Sequence, residues 1–193
     1  HESYQNAAYF GAYHTVADHW EKRGEKGYMF IFGDEKNHPF KLDEVKKLIG
    51  TSIEEELTNT LTNKDIYNKL KERYHVFFVF PVNSNYGKNS VYGNHYYGDI
   101  KNHWKQLLGA ECVIDLEDEN AAGEFVAAQI GLIEDRTDEE TIAKDIIDLH
   151  GAGSKSTAMV KSVLNSISKT YRGDGAVTKL SDSGLTTSLT PPS

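Results

Sequence analysis

The chain lacks three features that would each assign it to a familiar class of protein. It has one cysteine in 193 residues, which excludes an internal disulfide and fits a reducing, cytoplasmic setting. Its longest apolar runs fall well short of the roughly 20 residues of a bilayer-spanning helix, so we expect no membrane span. Basic residues number 21 against 29 acidic ones, a net charge of −8, so broad contact with nucleic acid is not expected.

Signature motifs of several common enzymes are missing as well. The eight histidines include no zinc-protease motif, and no Gly-x-Ser-x-Gly elbow is present. Residues 151–157, Gly-Ala-Gly-Ser-Lys-Ser-Thr, resemble a phosphate-binding loop, but Ser154 precedes the lysine where glycine is required. We interpret this segment as the end of one helix and the start of the next. The Arg-Gly-Asp at 172–174 is interpreted as a turn, and Cys112 as a core residue.

Three continuous apolar runs, at 27–32, 75–80 and 111–116, are the main structural signal. Runs without alternation are typical of strands buried on both faces, as in parallel sheets covered by helices. Helical patterns separate the runs, which predicts an α/β fold: a doubly wound, mainly parallel sheet with helices on both faces. We expect this domain to span residues 1–171 and a polar tail or linker to span 172–193.

The helical patterns show which side chains should face the core. In the first helix, Tyr9, Tyr13, Val16 and Trp20 fall on one face, and in a later helix Trp104 points inward. The predicted helices are 3–21, 41–48, one or two helices over 52–72, 100–108, 119–133, 138–149 and 156–171.

Polar side chains follow the predicted strands where each strand ends. Asp34 and Glu35 follow the first strand, Asn83 and Ser84 follow the second, and Asp115 lies near the end of the third. The carboxyl ends of parallel strands meet at one edge, where ligands of α/β sheets bind. The sequence therefore places the candidate functional site at this edge.

The order of elements resembles the second half of a von Willebrand factor A domain, over roughly residues 1–135. The matching segments are Tyr-Met-Phe-Ile-Phe-Gly-Asp-Glu, His-Val-Phe-Phe-Val-Phe-Pro-Val and Glu-Cys-Val-Ile-Asp-Leu, with helices between them. In that family a hydrophobic strand ends in a Thr-Asp-Gly-like turn whose aspartate belongs to a metal-ion-dependent adhesion site. Here Asp34 matches the aspartate, while Gly33 stands where threonine is usual and Glu35 where glycine is usual.

The N-terminal residues extend the resemblance. His-Glu-Ser-Tyr-Gln-Asn-Ala-Ala is similar to the helix after the family's second metal-site loop. In some bacterial and intracellular members that loop reads Gly-Gly-Asp-x-x-Glu, and Glu2 would match its end. The family's Asp-x-Ser-x-Ser signature is absent. Because the chain begins at His1 and shows no signal peptide, we expect either an upstream segment with that signature or a lost metal site.

The resemblance implies a divalent-cation site. Mg²⁺ or Mn²⁺ prefers hard oxygen ligands and keeps several waters, and a partner's carboxylate can complete its shell. Asp34 would be a ligand directly or through water, and Glu2 and Glu35 are the further candidates. The alternative is that Asp34 and Glu35 simply begin a solvated loop.

A tyrosine-rich loop after the second strand suggests a contact surface for a protein partner. Loops rich in tyrosine, glycine and asparagine give rigid aromatic anchors in an adaptable backbone, although the composition is also that of an ordinary loop. The candidate partner-binding residues are Asn83, Ser84, Tyr92, Tyr96 and Tyr97.

These observations predict a protein–protein interaction module within a larger bacterial or phage assembly, with no assigned catalytic residue. The resemblance suggests an AAA+ ATPase or an assembly subunit as partner, in the cytoplasm, with no nucleic acid or membrane involved. One alternative is a Mg²⁺-dependent hydrolase or phosphoryl-transfer enzyme that uses Asp34, Glu35 and Asp115. Another is a structural α/β domain that binds no ion.

Overall fold

A computed structural model of the chain describes residues 3–49, 61–85, 88 and 95–167, with the backbone alone at 49 and 95–98. None of the helices in this part of the chain is long and apolar enough to cross a membrane. Two short 3-10 turns are formed by Ala110–Cys112 and Glu119–Ala121. The elements, in chain order, are α1 (Tyr4–Tyr13), α2 (Asp18–Arg23), β1 (Gly27–Phe32), α3 (Leu42–Ile49), α4 (Asn63–Arg73), β2 (Tyr74–Pro81), α5 (His95–Leu108), β3 (Val113–Leu116), α6 (Ala122–Ile133), α7 (Glu139–His150) and α8 (Ser154–Ile167).

The three strands form one parallel sheet in the order β1-β2-β3. In the register, Ile31 pairs with Phe78, and Val79 pairs with Ile114. The prediction that the three apolar runs lie side by side and point the same way is confirmed. Strand order follows chain order throughout the described sheet. A doubly wound sheet is defined by a point at which the strand order reverses. The described sheet contains no such point.

Strand β2 forms the centre of the core, because five consecutive residues, Val76 to Phe80, are buried. Alternate side chains of a strand point to opposite faces, and both faces of β2 meet aromatic rings. On one face Phe78 stacks on Trp104 of α5, with ring centroids 4.1 Å apart. On the other face Phe77 stacks on Phe30, which contacts Phe125 of α6 edge-on at 5.9 Å. Helices therefore cover both faces, as predicted.

The N-terminal helix differs from its prediction, because α1 and α2 are separated at residues 14–17. Thr15 interrupts the helix: its hydroxyl donates to the Gly11 carbonyl at 2.6 Å, and its own carbonyl accepts from the Arg73 guanidinium at 3.3 Å. The prediction that Val16 faces the core is wrong, since that side chain is 86% exposed. Gly24 ends α2 in the left-handed conformation at φ 66°.

Three further positions can be compared with the sequence prediction. Helix α5 begins at His95, so Tyr96 and Tyr97 lie in its first turn and not in the predicted loop. Cys112 is buried as predicted but lies in the 3-10 turn before β3. Gly151, at φ 78°, ends α7 and α8 begins three residues later, which confirms the interpretation of this segment as a helix junction.

The stack on Phe78 generates a stability prediction. Phe78→Ala should lower the free energy of unfolding by about 3–5 kcal/mol, because it removes a fully buried ring from the centre of the core. Phe10→Ala is the matched control, because Phe10 is 49% exposed and should cost about 0.5 kcal/mol or less. Urea denaturation of the two variants measures both quantities, and equal losses would contradict the described core.

Candidate functional site

The segments that follow the strands are tied together at the carboxyl edge of the sheet. The Gly33 N–H donates to the Val79 carbonyl at 3.2 Å, which continues the β1–β2 pairing one residue past β1. The Asn83 amide donates to the Glu117 carbonyl at 2.5 Å, which links the chain after β2 to the chain after β3. The predicted convergence of these segments is therefore present.

Asp34 and Glu35 occupy the predicted position, immediately after Gly33, and both are half-buried. The Glu35 carbonyl accepts a hydrogen bond from the Trp104 indole at 2.9 Å. The third candidate ligand, Glu2, lies outside the described residues. Within the residues that are described, no group of three or more His, Cys, Asp or Glu side chains could hold a metal ion. The turn thus offers two hard-oxygen donors suited to Mg²⁺, without a complete ligand set.

The candidate partner residues are placed only in part. Asn83 is exposed and Ser84 is half-buried, both directly after β2. Tyr92 lies outside the described residues, and for Tyr96 and Tyr97 the structure gives the helical backbone without the side chains. A contact role for these tyrosines stays a prediction.

A tyrosine from α1 explains why glycine precedes Asp34. A Cβ built on Gly33 would lie 1.9 Å from the hydroxyl oxygen of Tyr4, so no larger residue fits without displacing the ring. The Tyr4 ring is held edge-on by Trp104 at 5.5 Å and by Phe78 at 6.2 Å. Sequence reasoning missed this contact, although glycine at a position where the resembled family has threonine was a signal for it.

Polar side chains from α4 hold the loop that follows the Asp34 turn. The Tyr67 hydroxyl donates to the buried side-chain carbonyl of Asn37 at 3.3 Å, and the Asn63 amide donates to the His38 carbonyl at 2.7 Å. Sequence analysis did not assign these residues, because each pair is joined only by the tertiary fold.

Several buried polar atoms of α1, α4, α5 and the loop after the Asp34 turn have no hydrogen-bond partner among the described residues. Native proteins leave few such atoms unsatisfied, and bound water or a ligand can supply the missing partner. Among the described residues, the atoms in this group are Tyr4 OH, Gln5 Oε1, Asn6 Oδ1, Asn37 Nδ2, Asn63 Oδ1 and His103 Nε2.

Asp115, the third carboxylate of the enzyme alternative, is engaged elsewhere. Its carboxylate pairs with Lys101 of α5 at 3.0 Å, and its carbonyl accepts from the Ser166 hydroxyl of α8 at 2.7 Å. All three carboxylates of that alternative are described, and they do not form a metal-binding group. The structure therefore does not bring Asp115 together with Asp34 and Glu35.

Comparison with known proteins assigns neither a family nor a function to the chain. No protein-family model matches the chain, and no match was found among curated proteins or solved structures. The geometry of the carboxyl edge therefore carries the functional argument.

The close approach of Tyr4 predicts the effect of enlarging Gly33. Gly33→Ala should lower the free energy of unfolding by about 1–3 kcal/mol, because the added methyl group overlaps the Tyr4 ring. The loss should shrink when the same change is made in a Tyr4→Leu background, which a double-mutant cycle measures. Gly123→Ala is the control, since a Cβ there meets open space in α6 and should be neutral or stabilising. Equal penalties in both backgrounds would contradict the contact.

The position of His103 predicts a pH dependence. Burial and, secondarily, the charge of Lys36 lower the pKa of His103 from its ordinary value of 6.5. The unfolded chain therefore binds a proton more readily, so stability is lost as pH falls through 6.5 towards the lower folded-state pKa. Between pH 7 and pH 5, the wild-type chain should lose more unfolding free energy than His103→Gln. Parallel slopes in urea titrations of the two proteins would contradict this prediction.

Proposed function

We propose that the chain is a protein–protein interaction module whose contact is assisted by a divalent cation bound at Asp34. The observation that carries the proposal is the position of the Gly33-Asp34-Glu35 turn. It follows β1 at the carboxyl edge of a parallel sheet, where α/β proteins bind ligands. The Trp104 indole and the Tyr4 ring fix this turn, so Asp34 has a defined place.

The cation follows from the chemistry of the turn. Two adjacent carboxylates at the rim of an acidic chain offer the hard oxygen ligands that Mg²⁺ and Mn²⁺ prefer. Such an ion would leave coordination positions for water and for a carboxylate of the partner. Asp34, Glu35 and, by resemblance, Glu2 are the residues proposed to hold it.

We also propose that the sheet is of the doubly wound, von Willebrand factor A type and continues past β1 with another strand. In the described sheet β1 pairs on one side only, although it has the continuous apolar sequence of an interior strand. Its residues are half-buried, and Phe32 at its end is 41% exposed. A neighbouring strand would cover them, and a strand that ends in Asp-x-Ser-x-Ser would add oxygen ligands beside Asp34.

The proposed partner is another protein, such as an AAA+ ATPase or an assembly subunit, in a bacterial or phage cytoplasm. Asn83 and Ser84 lie at the same edge as the Asp34 turn and belong to the proposed contact surface. Tyr92, Tyr96 and Tyr97 belong to it by sequence. The hydrolase alternative has less support, because Asp115 is paired with Lys101.

Cation binding by the full-length protein tests the proposal. Mn²⁺ binding, followed by the electron paramagnetic resonance signal of the free ion, should weaken about tenfold or more in Asp34→Ala, which removes a ligand. Asp145→Ala, an exposed carboxylate on α7, should bind as the wild type does.

Two outcomes would overturn the proposal. Equal Mn²⁺ binding by Asp34→Ala and the wild type would remove the cation site. Asp34-dependent hydrolysis of generic phosphoesters with Mg²⁺ would establish the enzyme alternative in its place.

A further inference from the structure

Helix α5 reaches the Asp34 turn with two side chains. The Trp104 indole nitrogen lies 2.9 Å from the Glu35 carbonyl oxygen. One turn and a residue earlier, the Asp99 carboxylate lies 3.5 Å from the Lys36 ammonium. Both contacts meet consecutive residues of the turn, directly after Asp34. The helix is therefore attached to the backbone that carries the candidate ligand.

Of these two contacts, the hydrogen bond from Trp104 to the Glu35 carbonyl is the stronger, because the position of the indole ring is fixed. The ring is fully buried, and it is held by Phe78 at 4.1 Å, Tyr67 at 5.6 Å and Tyr4 at 5.5 Å. An indole N–H can only donate, and a buried one requires an acceptor. The Glu35 carbonyl is that acceptor, so the orientation of the ring and the position of the turn specify each other.

We propose that Trp104 is a positioning residue for the cation site. Through the Glu35 carbonyl it holds the backbone of the turn, and thereby Asp34, at the carboxyl edge of the sheet. This inference rests on the proposed function, because it assigns Trp104 a role in cation affinity. Residues one shell away from a metal orient its ligands, and their loss costs about 10–100-fold in affinity.

The same contact makes Trp104 a reporter of the site. Indole emission responds to the hydrogen bond and the local field, so a divalent charge beside the turn should change it. Trp20, the other tryptophan, is half-buried on α2 and is removed by Trp20→Phe. In that background, Mn²⁺ should change the Trp104 emission, and the same titration in Asp34→Ala should not.

The test removes the indole N–H and keeps an aromatic ring at position 104. In the full-length protein, Trp104→Phe should weaken Mn²⁺ binding about tenfold or more and raise amide hydrogen exchange at residues 33–36. Trp20→Phe should change neither quantity. If Trp104→Phe does not fold, a tryptophan analogue with sulfur in place of the indole N–H keeps the bicyclic shape. Asp99→Asn should give a smaller change, since the Asp99 side chain is 70% exposed.

The outcomes of these measurements separate the positioning role of Trp104 from the proposed function. A folded variant without the N–H that binds Mn²⁺ like the wild type overturns the positioning role, whether or not exchange at 33–36 rises. A wild-type protein that binds no Mn²⁺ overturns the proposed function together with the role of Trp104 in cation affinity. In that case the exchange rates still show whether Trp104 holds the turn.

Discussion

The stack of Trp104 on Phe78 is the contact on which the candidate site depends. It joins the central strand to α5 at the carboxyl end of the sheet, with ring centroids 4.1 Å apart and planes 12° from parallel. The stack fixes the direction of the indole N–H, which reaches the Glu35 carbonyl. It also forms the wall against which the Tyr4 ring rests, and Tyr4 in turn excludes any side chain at position 33. An apolar contact in the core thus determines where a polar turn lies.

The turn combines a rigidly held backbone with two carboxylates at the rim of the sheet. Its backbone is held by strand pairing at Gly33 and by the indole at Glu35, while both of its carboxylates remain half-buried at the rim. A turn whose backbone is already held needs little reorganisation when it binds a ligand, which favours affinity. This arrangement suits the cation-bridged protein contact that we propose.

Much of the fold could be predicted from the sequence, because its signals are local. The six residues of β1 and the Asp34-Glu35 turn after them were placed to the residue, because a run of five apolar residues that ends in Gly and two acids marks both the strand and its end. The polar network could not be predicted. Asn37 and Tyr67 are thirty residues apart, and no spacing rule joins an amide after one strand to a hydroxyl on a later helix. The break at Thr15 was missed for the same reason, because Arg73 competes for its carbonyl.

The sequence by itself determined the α/β class, the parallel run of three strands and the edge at which the acidic turn emerges. Each follows from periodicity and burial, which neighbouring residues encode. Only the tertiary structure decided which carboxylates belong together. It paired Asp115 with Lys101 and left Asp34 on a turn held by Trp104, because a side chain's partners depend on how helices cross the sheet. That choice separates the proposed interaction site at the rim from the three-carboxylate centre of the enzyme alternative.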